Sequence, residues 1–288
     1  MPGHIKPAQL ASRRRPWLAM SLAISLALTL RAADGDRFAP RLLPGLTVTI
    51  HTLFLDEEKV WVHEYFGSLP GYTFVSLHDD ENTSAEAARE FIAAEGGRLV
   101  ELRHGRGRNV IIRHDGHRHP FDPNRMFTPT GLTRSLAYFQ GFSSATLLTA
   151  GNFARQVEQI IGIDTAGTII AVHNNTNDRL TIRDYRKGQI YGANTRAVHV
   201  APDRDPDNYF FTNDEALFRA LAAAHYNAAL MESEPSRDLG TLAFLTHQRG
   251  RRYVLVEAQH EAADQQREML RSLVGLLAET APQAEATR

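Results

Sequence analysis

Residues 72–81 read YTFVSLHDDE: a run dominated by β-branched and aromatic side chains, then a histidine and three carboxylates. Six residues of that composition, entered from Gly71 and left through Asp-Asp, predict a short buried strand. Thr83 then opens a helix, with Glu86 three residues on completing a capping box and Gly96-Gly97 closing it. Upstream, Leu46–Leu55 and Val60–Phe66 predict an opening pair of strands. Downstream, Arg98–Leu102 and Asn109–Arg113 predict strands, followed by a turn at Asp115-Gly116. Asn152–Ile163 predicts an amphipathic helix, Gly167–Val172 (GTIIAV) a second buried strand, and Asn213–Met231 a helix. Thr241–Leu245 and Tyr253–Val256 (YVLV) predict strands, and Glu261–Ala278 a closing helix. Strands that alternate with helices, several of them apolar throughout, predict one α/β domain over residues 45–280. Its sheet is expected to be mixed and mainly parallel, with helices on both faces.

Composition limits the chemistry. The 288 residues are 43% hydrophobic and 23% charged, enough to bury a core. Thirty-two basic residues against 33 acidic ones leave a net charge of -1, which argues against a nucleic-acid partner. With no cysteine, disulfides, thiolate zinc sites, iron–sulfur clusters and cysteine nucleophiles are excluded, so any metal must sit on His, Asp or Glu. There is no G-x-x-x-x-G-K-[ST] phosphate loop. Gly141-Phe142-Ser143-Ser144 lacks the second glycine of a serine-hydrolase elbow.

Both ends of the chain read differently from the body. Arg13, Arg14 and Arg15 precede an apolar run from Trp17 to Leu30, too short to span a bilayer comfortably but suited to a signal peptide. Residues 1–33 are therefore expected to be an export leader, or an uncleaved anchor that would be the only membrane attachment. The expected location is periplasmic or secreted. Residues 281–288 read as a disordered tail.

In an open α/β sheet, ligands bind beyond the carboxyl ends of the strands. There YTFVSL ends in His78, with Glu81 three residues on; GTIIAV ends in His173, followed by Asn174-Asn175; YVLV ends in Glu257. If these strands run parallel, two imidazoles and two carboxylates converge on one rim. Two His and one Glu are the ligand set of an open catalytic zinc site.

His78-x-x-Glu81, the block Asp122-Pro123-Asn124-Arg125-Met126-Phe127-Thr128, a distant His173 and a later Glu257 together resemble the zinc carboxypeptidase superfamily. The nearest style is its succinylglutamate desuccinylase and aspartoacylase branch, whose block reads Asp-Leu-Asn-Arg-x-Phe-Pro; here Pro123 replaces the Leu and Thr128 the Pro. The resemblance implies one zinc ion held by His78, Glu81 and His173. It also implies a substrate carboxylate gripped by Asn124 and Arg125, and Glu257 as general base and acid. A cation for the oxyanion is implied too: Arg108, Arg113 and Arg118 all lie upstream of the Asn-Arg pair, Arg108 fitting the carboxypeptidase spacing and Arg118 the acylase spacing, with a lean to Arg108. The substrates implied are a peptide or cell-wall peptide, or else an N-acyl amino acid. A zinc-binding relative without catalysis is a third reading. Oligomeric state is left open.

His114, His117 and His119, with His104 nearby, form a second histidine-rich stretch, read as an exposed hairpin tip rather than a metal site. Asp205–Asn208 with Tyr209-Phe210-Phe211 reads as a loop packed on the core.

Overall fold

The computed structural model describes residues 38–105 and 107–280; the expected leader and tail lie outside them. The chain opens with β1 (Thr47–Leu55), β2 (Glu58–Phe66) and β3 (Thr73–Ser76), then α1 (Asn82–Glu95). After β4 (Arg98–Arg103) come the hairpin β5 (Val110–His114) and β6 (His117–Phe121) and helices α2 (Pro129–Tyr138) and α3 (Ser144–Ile161). Then follow β7 (Thr168–Asn175), β8 (Thr195–His199), β9 (Tyr209–Thr212), α4 (Glu215–Ala223) and β10 (Ala228–Met231). The last elements are α5 (Leu242–Gln248), β11 (Arg252–Gln259) and α6 (Ala263–Glu279).

Nine strands form one mixed sheet, ordered β1-β2-β4-β3-β7-β11-β9-β10-β8; β5 and β6 pair apart from it. The centre, β4-β3-β7-β11, is parallel throughout, and antiparallel pairs flank it. Helices cover both faces, α1, α4 and α6 on one and α2, α3 and α5 on the other, each over its own apolar cluster. The fully buried parallel strands explain the unbroken apolar runs of the sequence, since neither face of such a strand meets water. Among the described residues no helix is long and apolar enough to cross a membrane.

Four local expectations are corrected. Asn213–Met231 is not one helix. Asp214 caps α4, which stops at Ala223, and Ala228–Met231 becomes a buried strand between β9 and β8. Asn227 pins that change of direction: its Nδ2 donates to the carbonyls of Asp205 and Asn208, while its Oδ1 accepts from Ala201 N. Ala-Ala-Leu-Met favours helix intrinsically, so sheet pairing overrides propensity there. Thr241–Leu245 is the capped start of α5 rather than a strand, Thr241 accepting from Phe244 N. Tyr209–Thr212, expected as a loop, is a fully buried strand beside β11. The Thr83–Glu86 capping box does not form, because α1 begins one residue earlier with Glu81 at its N-cap.

The sequence reading also missed α2, whose Pro129 fills the first turn after the Thr128 cap, the first eight residues of α3, capped by Ser143 and Thr146, and the edge strand β8, paired antiparallel with β10.

Candidate metal centre

Strand β3 delivers His78 to the rim, and a turn in which Glu81 N donates to His78 O (3.2 Å) folds Glu81 back beside it. His173 lies within β7, directly opposite Glu257 of β11 in the parallel ladder. One ligand atom from each of His78, Glu81 and His173 lies within 4.8 Å of the others, and all three residues are buried. The two rings stand 5.2 Å apart, and the Glu81 carboxylate spans them, Oε1 2.8 Å from His78 Nδ1 and Oε2 2.8 Å from His173 Nδ1. Two parallel strands, β3 and β7, therefore bring together ligand candidates that the sequence spreads over 96 positions.

Whether a cation fits here can be read from His78. Its Nε2 faces Asp122 Oδ1 at 2.9 Å, so a neutral ring donates there and aims the Nδ1 lone pair at a Glu81 oxygen. A lone pair and a carboxylate oxygen 2.8 Å apart need a proton or a metal ion between them. Nδ1 is a buried atom without a hydrogen bond of its own, as is His173 Nε2. Burial disfavours charge on His78, yet Glu81 and Asp122 outweigh it and push the ring up to about 9. Burial likewise opposes charge on Glu81, but the two imidazoles hold its carboxyl well below the usual range. A site that binds positive charge this strongly, from two imidazoles and a carboxylate without sulfur, fits zinc with a position left for water.

Asp122 was quoted in the motif but given no role. It caps the turn Pro123–Arg125 by accepting Asn124 N at 2.8 Å, and the same oxygen orients His78. A carboxylate behind a ligating imidazole fixes ring and tautomer. The clue was present in the sequence: an aspartate two residues before Asn-Arg, with a helix-starting proline between.

Glu257 is 4% exposed. Burial first, then the charge of Glu81, pushes its carboxyl well above the ordinary range. Arg108 is half-exposed and reaches Glu81 Oε1 at 2.9 Å, with Asp122 Oδ2 at 3.8 Å. Asn124 Oδ1 accepts from Leu242 N at 3.1 Å, so the amide presents its N–H₂ end elsewhere. Arg125 meets Tyr191 Oη at 3.5 Å. The backbone behind this pair is tight: a Cβ on Gly131 would sit 2.2 Å from Gly240 Cα and 2.8 Å from Arg125 O.

These groups line one cavity of about 370 Å³. Beyond the polar rim its wall is apolar, from Tyr185, Phe211, Met231, Phe244 and Leu255. Tyr185 stacks on Tyr191 with ring centroids 5.0 Å apart. Asn174 and Asn175 also border the cavity, but their amides are occupied structurally: Asn174 accepts Ser84 N at 2.7 Å, and Asn175 donates to Leu180 O and Asp207 O.

Arg118 is not brought to the site. It is exposed on β6 opposite Arg113, which pairs with Glu58 at 2.8 Å, and of the three oxyanion candidates only Arg108 lines the cavity. The second histidine stretch forms the hairpin tip, where His114 Nδ1 meets Asp56 Oδ2 at 2.5 Å and His117 is exposed. Among the described residues the rim holds the one His/Asp/Glu group close enough to hold a metal.

No family model matches the sequence, and no curated protein matches it. Among solved structures, an aspartoacylase family protein from Mesorhizobium loti aligns over 82% of this chain and 68% of its own, at 11% identity and a TM-score of 0.42. The tripeptide-bound cell shape determinant Csd4 from Helicobacter pylori aligns over 73% of this chain and 51% of its own, at 15% identity and a TM-score of 0.41. A putative succinylglutamate desuccinylase/aspartoacylase from Shewanella frigidimarina aligns over 83% and 73%, at 9% identity and a TM-score of 0.40. The likenesses are distant, and the chemistry rests on the site itself.

Proposed function

We propose that this chain is a zinc-dependent hydrolase that cleaves the amide bond next to a free carboxylate, releasing an apolar amino acid from the end of a peptide. One observation carries the reading: the His78–Glu81–His173 group, the buried carboxyl of Glu257 and the Asn124–Arg125 pair meet in a single cavity. When bound, zinc supplies Lewis acidity and lowers the pKa of a water to about 7.

The chain's own residues perform the remaining steps. Arg125 offers two parallel N–H donors that match a carboxylate, and Asn124, its oxygen committed to Leu242, can only donate. The substrate side chain beside that carboxylate then faces the Tyr185, Phe211, Phe244 and Leu255 wall. Full burial of a large apolar side chain contributes about 1.5–3 kcal/mol. Glu257 accepts the proton of the attacking water at its carboxylate and returns it to the leaving amine, and burial, which raises its carboxyl above the ordinary range, makes it the stronger base. Arg108 brings positive charge to the mouth, where an oxyanion would develop.

A second reading, an N-acyl amino acid deacylase, draws support from Arg179. This guanidinium also lines the cavity, makes no ion pair among the described residues, and could grip a small acyl acid. As part of the same proposal the enzyme works outside the cytoplasm, the support being the Arg13–Arg15 and apolar run of residues 1–33.

Metal analysis of the purified chain, with turnover of hippuryl-phenylalanine and N-acetyl-aspartate, tests the proposal. About one zinc per chain and hydrolysis of the peptide analogue are expected. Turnover of N-acetyl-aspartate alone would transfer the conclusion to the deacylase. A protein that binds no zinc would end both readings.

A further inference from the structure

Between the ligand candidates His78 and Glu81 lies Asp79, whose side chain is fully buried (0% exposed) and turned away from the metal group. Its Oδ2 accepts two backbone N–H groups, those of His104 and Gly105, each at 2.7 Å. Its Oδ1 faces Arg103 Nη1 at 2.8 Å. Arg103 also reaches Glu101 Oε1 at 3.2 Å, and Glu101 Oε2 accepts from Arg89 Nη1 at 2.8 Å. A chain of alternating charges, Arg89–Glu101–Arg103–Asp79, thus runs from α1 along β4 and ends on the two amides where the backbone leaves the sheet. Three residues further on is Arg108, at the cavity mouth.

Gly105 has φ +119°, a conformation that side chains resist, and a Cβ on Gly105 or Gly107 would meet nothing within 4 Å. The carboxylate of Asp79 ties the two amides of that exit to the end of the strand that also delivers His78.

We propose that Asp79 is the positioning residue for Arg108: by holding the His104 and Gly105 amides it sets the guanidinium in register with the metal group. Asp79 touches no substrate atom. It fixes where the segment departs, so that the cation arrives beside Glu81 without having to be ordered at each turnover. The role given to Arg108 rests on the function proposed above, whereas the clamp itself does not.

The test uses the zinc-loaded full chain, with Asp79→Ala and Asp79→Asn alone and each combined with Arg108→Ala. With hippuryl-phenylalanine as probe, Asp79→Ala should lower kcat by about 10²-fold, the order expected of a misplaced catalytic group, with KM changed far less. Asp79→Asn keeps one acceptor oxygen and should lose less. In the Arg108→Ala background either substitution should cost under about threefold, because positioning an absent group has no value. An equal loss in both backgrounds overturns the proposal, as does zinc lost from both single variants.

Two readouts need no turnover. Amide hydrogen exchange at residues 104 and 105 should quicken in Asp79→Ala while the rest of β4 keeps its protection. The Arg108 guanidinium NMR signal, assigned with Arg108→Lys, should change from an ordered to an averaged environment. If both stay unchanged the clamp is refuted, whatever the enzyme hydrolyses; if both move in a protein that cleaves no amide, the clamp stands and the functional reading falls.

Discussion

Two regions of this protein are rich in histidine, and only one of them gathers ligand atoms. At the hairpin tip, His114, His117 and His119 are close in sequence, yet His114 turns to Asp56 and His117 to solvent. At the rim, His78 and His173 are far apart in sequence, yet their rings are 5.2 Å apart with one carboxylate across both. Local density of a residue type says little: the three tip histidines share one face of the hairpin, yet no ligand group forms there, because His114 is taken by Asp56 and His117 faces water. Convergence comes from topology: parallel strands end at one rim whatever their separation in the chain.

The largest test of that contrast is His78→Ala, which should take the protein from about one zinc to none and abolish amide hydrolysis, as measured by elemental analysis and a rate assay on one preparation. Zinc retained in the variant would move the metal elsewhere. Glu257→Gln should separate chemistry from binding at the same rim, keeping the metal while kcat falls by about 10²–10⁴-fold, the usual contribution of a general base.

Burial without ligation is a third environment. His63 is 1% exposed, and burial pulls its ring down to about 4. A base with a depressed folded pKa is favoured neutral in the fold, while the unfolded chain takes up its proton below about 6.5. Stability should therefore fall as pH drops from about 6.5 toward 4, by about 3 kcal/mol at most from this residue. Urea unfolding of His63→Gln across that window should show a flatter profile than the parent. Asp122→Asn acts on the metal group through His78, with a longer contact to Arg108, and should weaken zinc binding by about 10–100-fold in a chelator competition. The smallest effect belongs to the tip: His117→Gln should leave zinc content unchanged and stability within about 0.5 kcal/mol.

Much of this was legible in the sequence where one physical demand dominates. Strands buried on both faces announce themselves as unbroken apolar runs, so β3, β7 and β11 and the residues at their ends could be read directly. β10 could not, because its four residues favour helix on their own and become strand only through two sheet neighbours that no local pattern reveals. Asp122 was visible, but its task was not: a cap for the next turn and a partner for a ring 44 positions away read alike in a sequence. Arg108 and Arg118 were told apart only by the path of the chain, since each stands at a plausible distance from the Asn-Arg pair.

The pairing of His173 with Glu257 across β7 and β11 has a last consequence. Adjacent strands keep a spacing of about 4.8 Å that no side-chain substitution alters. The separation between His173 and Glu257 is thereby inherited from the backbone ladder and does not depend on the connections between strands. Those connections can be lengthened, shortened or recoloured to admit a new substrate while the reacting distance stays constant. A single-residue deletion inside β11 ahead of Glu257, by contrast, would turn that carboxyl to the opposite side of the sheet, away from His173.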